Sequence, residues 1–163
     1  MALRTIRIEG DPILGKVCKE VKCMTPRTAT LIDDMFDTMY EANGVGLAAP
    51  QVGILKRLVV IDCGDEPYVL INPKITLKEG EQTGEEGCLS LPGKAGIVTR
   101  PMHVICEALD ENMKPYTIDA EGLLARAICH ETDHLDGHLY TEFVEGEIHD
   151  VNYDNVEEDE EEA

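Results

Sequence analysis

The segment EGLLARAICHETDHLDG, residues 121–137, decides how the rest of the chain is read. Leu123, Leu124, Ala127, Ile128, Glu131 and Leu135 recur at the three- and four-residue intervals of an α-helix, and Gly137 supplies a stop signal. On such a helix His130 and His134 sit one above the other, with Glu131 beside them. An H-E-x-x-H arrangement of this kind is a metal-hydrolase pattern. The two imidazoles ligate a cation, while the glutamate stays off the metal and takes a proton from the attacking water.

A catalytic metal site needs a third protein ligand and a position left for water. Cys88 is the candidate, because it lies in Glu86-Gly87-Cys88-Leu89-Ser90. There Gly87 permits close backbone approach, and Thr83-Gly84 implies a loop. Cys18, Cys23, Cys63 and Cys106 read as small buried hydrophobes. Cys129 points about a third of a turn away from His130 and reads as packing. A second loop, GVGLAAPQ at residues 44–51, ends on Gln51, whose amide can donate to a developing oxyanion.

Upstream, Thr25-Pro26 offers an N-cap followed by proline, and Leu31, Ile32, Met35, Phe36, Met39 and Tyr40 then keep helical spacing. A helix is expected over residues 26–42, closed by Asn43-Gly44. Between the helices, residues 58–61, 69–71, 104–106 and 116–118 are short runs rich in β-branched residues, separated by turn signals. The expected fold is α+β, with antiparallel or mixed β-sheets packed around a central C-terminal helix that carries the HExxH motif.

The chain has 163 residues, 43% apolar and 29% charged, which suits one domain with a single core. It shows no apolar run long enough to span a membrane and no export signal, so a cytoplasmic protein with free thiols is expected. The formal net charge of -19 is unevenly spread. From Glu145 onward there are ten acidic residues and no Lys or Arg, leaving 23 acidic against 14 basic groups before it. Residues 1–146 therefore read as the catalytic domain and 147–163 as an acidic, flexible, solubilising tail. This balance argues against direct nucleic-acid binding, which wants a clustered basic face.

Taken together and in this order, GVGLAAPQ, EGCLS and HETDH resemble the three signature motifs of bacterial peptide deformylases. The resemblance extends over Asp11-Pro12-Ile13-Leu14 and Asp136-Gly137 and ends where the acidic tail begins. It implies a metal-dependent hydrolase that removes the N-formyl group from the initiator formylmethionine of nascent chains and releases formate. By the same resemblance Cys88, His130 and His134 bind the metal, Glu131 acts as general base and acid, and Gln51 with the backbone of Leu89 steadies the oxyanion. Gly46 and Gly87 pair with the substrate backbone, and Val45, Leu123 and Ala127 are the expected walls of a methionine slot. The implied metal is Fe²⁺, with Zn²⁺, Ni²⁺ or Co²⁺ able to substitute.

Two features depart from better-known members. Cys129 stands where glutamine is common, and the tail lacks the basic character that ribosome docking uses, so weak or no tail-mediated ribosome binding is expected. Two other readings compete. A zinc peptidase would take its third ligand downstream, from Glu142, Glu145, Glu147 or His149. A closed four-ligand binding module would leave Glu131 without a role.

Overall fold

In the computed structural model, which describes residues 2–151, two sheets and two helices form an α+β fold. The first sheet runs β1 (Gly46–Ala48), β2 (Leu58–Asp62), β3 (Pro67–Glu79), β6 (His103–Leu109) and β7 (Pro115–Glu121), in that spatial order. The second orders β4 (Gln82–Cys88), β5 (Leu91–Arg100) and β8 (Glu145–Asp150). Every strand pairing within the two sheets is antiparallel. Helix α1 spans Pro26–Glu41 and helix α2 spans Gly122–Leu135, each within two residues of its expected bounds.

The ends of α1 form as its sequence dictates. The Thr25 hydroxyl accepts from the Thr28 amide at 3.1 Å, Pro26 occupies the first turn, and Asn43 leaves the helix with φ +58°. Its stripe of Leu31, Ile32, Met35 and Met39 packs on Leu58, Val60 and Val69 of the first sheet. On the opposite face of that sheet, Val59, Ile61, Leu70 and Val104 pack on Ala125, Ile128, Cys129 and Leu135 of α2. Leu58-Val59-Val60-Ile61 is continuously apolar because both faces of β2 are covered, and all four side chains are fully buried.

The second sheet was invisible to apolar periodicity. Gln82-Thr-Gly-Glu-Glu-Gly-Cys88 contains two glycines and four polar residues, yet forms β4, so the expected loop around Cys88 is corrected to a strand end. The ladder to β5 supplies the order that side-chain pattern does not. The expected 44–51 loop likewise resolves into β1 and a short 3-10 turn over Ala49–Val52.

The expected domain boundary at 146/147 falls inside β8. Residues 147–150 belong to that strand, where Ala95 pairs with His149, Lys94 pairs with Asp150, and their side chains form an ion pair. The remainder of the expected tail, residues 152–163, lies outside the described residues. No helix among the described residues is long and apolar enough to cross a membrane.

Candidate active site

Helix α2 delivers His130 and His134 to one point, with Nε2 atoms 3.3 Å apart. From the other sheet, Cys88 Sγ approaches His134 Nε2 to 3.4 Å. The three donor atoms all lie within 4.8 Å of one another, and thiolate with two imidazoles is a donor set that suits a borderline divalent cation. Cys88 reaches this point through a register break. The β4–β5 ladder slips between Gly87 and Cys88, and such an irregularity re-aims the side chain that follows it.

The other members of the expected site assemble around this cluster. Gln51 is fully buried and held at both ends: its Oε1 accepts from the Ala48 amide at 2.9 Å, and its Nε2 donates to Ser90 Oγ at 3.0 Å. That same Nε2 lies 3.5 Å from Cys88 Sγ, so the amide donor faces the ligand cluster. Glu131 is buried, with Oε2 4.0 Å from His130 Nε2 and, among the described residues, Oε1 without a hydrogen-bond partner. Burial pushes its carboxyl up to about 7, against the opposing pull of His130. His134 is held well below the ordinary histidine value by burial and by the neighbouring His130. At His130 burial acts in the same direction, but the charge of Glu131 and contacts with Cys88 and Glu86 overcome it and raise the value.

A cavity of about 600 Å³ opens beside the cluster, within the usual range for ligand sites. Its walls include Val45, Gly46, Gln51, Gly87, Cys88, Leu89, His130 and Glu131. Leu123 and Ala127 are not among them: Leu123 is half-exposed in the first turn of α2, and Ala127 packs in the core beneath the first sheet. Ala127 therefore spends its methyl on helix–sheet packing.

Sequence reasoning passed over the residues that hold the His130 ring. Glu86, quoted only as part of a motif, accepts from His130 Nδ1 at 2.6 Å and from Arg100 Nε and Nη2 at 3.1 and 2.8 Å. Burial opposes its charge, yet the His130 and Arg100 hydrogen bonds hold its carboxyl down at about 2. The signal was available for Glu86, a charged residue two positions from a candidate ligand. None existed for Arg100 and Arg126, which meet it from 14 and 40 residues away. The thiols divide differently from expectation: Cys18, Cys106 and Cys129 are buried, whereas Cys63 is half-buried and Cys23 exposed.

Comparison with known proteins identifies the family. The polypeptide deformylase family model matches residues 3–147. A peptide deformylase from Agathobacter rectalis is 68% identical over 158 residues, covering 97% of this chain and all of the relative, and one from Lachnoclostridium phytofermentans is 64% identical over 163 residues. Among solved structures, a peptide deformylase from Legionella pneumophila superposes with a TM-score of 0.86 at 46% identity, covering 88% of this chain and 87% of its own. With its fold, its three motifs and its relatives in agreement, the chain belongs to the peptide deformylase family and is a hydrolase.

Proposed function

We propose that this chain hydrolyses the formamide of N-formylmethionine at the start of nascent polypeptides, releasing formate, and that a ferrous ion held by Cys88, His130 and His134 serves the reaction. The observation that carries this reading is the convergence of those three donor atoms within 4.8 Å beside a buried carboxylate and a buried amide donor. A divalent cation in that position supplies Lewis acidity, lowering the pKa of water and polarising the carbonyl. Zn²⁺, Ni²⁺ or Co²⁺ satisfies the same donors.

The protein's own groups perform the remaining steps. Glu131 takes a proton from water as its oxygen attacks the formyl carbon, and Gln51 Nε2 donates to the oxygen that gains negative charge. The C–N bond then breaks. Glu131 passes the proton to the leaving amine, so that a free amino terminus and formate depart. The Leu89 amide is the proposed second oxyanion donor, and Gly46 and Gly87, both in the cavity wall, are the proposed partners of the substrate backbone. Val45 is the proposed near wall of the methionine slot. Leu123, half-exposed in the first turn of α2, and Ala127, buried in the core, lie outside the cavity walls, so Val45 carries the slot in this reading.

On this reading the reaction runs in the cytoplasm, on formylmethionyl chains as they emerge, with no membrane or direct nucleic-acid contact. Ribosome binding through the acidic C-terminal residues is disfavoured by charge. The test is formate release from a formyl-methionyl peptide by anaerobically prepared protein, with the acetylated peptide as control. Release from the formyl peptide alone is expected. Absence of release from protein shown to hold iron overturns the reading.

A further inference from the structure

Arg126 takes no part in the chemistry above, yet it lies buried one helical turn before His130. Helix α2 thus carries Arg126, His130 and His134 at four-residue intervals. The Arg126 Nη1 donates to Glu86 Oε2 at 2.7 Å and to the Val98 carbonyl at 3.1 Å, while Nη2 reaches the Gln82 carbonyl at 3.4 Å. One guanidinium therefore ties α2 to both β4 and β5. A Cβ built on Gly84 would stand 3.4 Å from Nη2, so the backbone of β4 closes directly over the fork.

Counting donors shows what this contact adds. Glu86 Oε1 accepts from Arg100 Nη2 and His130 Nδ1, and Oε2 accepts from Arg100 Nε and Arg126 Nη1. Each oxygen holds two donors, which is the full capacity of a carboxylate. Arg100 is shared with Asp133, to which its Nη1 donates at 2.7 Å. Among the described residues Arg126 has no carboxylate partner but Glu86. Its fork fills the last site on Oε2 and anchors that oxygen to the β5 backbone, leaving Glu86 no freedom to pivot away from the His130 ring.

We propose that Arg126 is a positioning residue of the metal centre: by saturating Glu86 and tying it to β5, it fixes the orientation of the His130 ring that presents Nε2 for ligation. The inference rests on the reading of Cys88, His130 and His134 as that centre. Carboxylates that accept from the far nitrogen of a ligating histidine orient the ring, and disturbing them typically costs 10–100-fold in metal affinity.

The experiment is Co²⁺ binding by the whole chain, measured by competition with a chelator and by the visible absorption spectrum of the bound ion. Arg126→Met keeps the length of the stem and removes the donors. It is expected to weaken Co²⁺ binding about 10–100-fold and to shift the absorption bands, and Arg126→Lys, which keeps a charge but not the planar fork, is expected to recover only part of the loss. In a Glu86→Gln background Arg126→Met is expected to add nothing further, because its effect runs through Glu86. Wild-type affinity and spectrum in Arg126→Met overturn the proposal, as does independent, additive weakening in the double variant. If Arg126→Met does not fold, wild-type behaviour of Arg126→Lys overturns it equally. A wild-type chain that takes up no Co²⁺ instead overturns the metal-centre reading on which the proposal rests.

Discussion

Gly46 and Glu131 stand so close that a Cβ built on residue 46 would lie 2.6 Å from Glu131 Oε2 and 2.9 Å from its Cγ and Cδ. The contact joins β1 to α2 at the point where the chemistry is proposed to occur. Glu131 is buried, and its carboxylate must move to relieve the overlap. Gly46→Ala is therefore expected to push the carboxylate out of line while leaving the ligand cluster intact. A misplacement of about 1 Å costs on the order of 10²-fold in rate, so kcat/KM for a formyl peptide should fall by about that factor with metal content per chain unchanged.

Glu131→Gln should separate activity from stability. Removing a general base costs roughly 10²–10⁴-fold, and formate release should fall accordingly. Because burial disfavours the charged carboxylate, replacing it with a neutral amide of the same shape should leave the thermal midpoint of the metal-free protein unchanged or raised. A large drop in both quantities would assign Glu131 a structural role instead.

His103, outside both the cavity wall and the ligand cluster, provides a pH probe of the first sheet. Its Nε2 lies 2.6 Å from Asp119 Oδ1 across the β6–β7 pair, and that hydrogen bond raises the histidine above its ordinary 6.5. The folded chain thus binds this proton more tightly than the unfolded one. Its stabilising contribution is complete below 6.5 and is lost as pH rises through the elevated folded value. Urea unfolding of wild type and His103→Gln should therefore differ most on the acid side of this window and converge above it.

Gly137→Ala tests the stop of α2. Gly137 adopts φ +83°, and an added Cβ would lie 2.6 Å from the Gly15 carbonyl oxygen, a backbone atom that cannot swing aside. Left-handed strain of this kind costs about 1–3 kcal/mol. The substitution should lower unfolding free energy by at least that much, as measured by chemical denaturation.

Both helices and the strands β2, β3, β6 and β7 were legible because their order is local. Period-3.6 spacing, a Thr-Pro cap, an Asn-Gly exit and β-branched runs act within a few residues of one another. The same locality made His130, Glu131 and His134 readable as a unit, since one helical turn fixes their geometry. Cys88 and Gln51 were singled out by their glycine-bearing segments, and the motif resemblance gave them their expected roles.

Beyond that reach, the fold was decided by partners distant in sequence. β4 is too polar and glycine-rich to announce itself, and it becomes a strand only through its ladder with β5. The slip between Gly87 and Cys88 that aims the thiol exists only in that pairing. The Glu86–Arg100–Arg126 assembly joins residues 14 and 40 positions apart, and opposite charges at such separations give no sign of which pairs will meet. The sequence by itself determined two helices, four strands and an HExxH pair, because short-range sterics and hydrogen bonding repeat with a fixed period. Only the tertiary structure decided that Glu86, Arg100 and Arg126 support that pair, because strand register and helix–sheet packing, rather than spacing along the chain, bring them within hydrogen-bond distance.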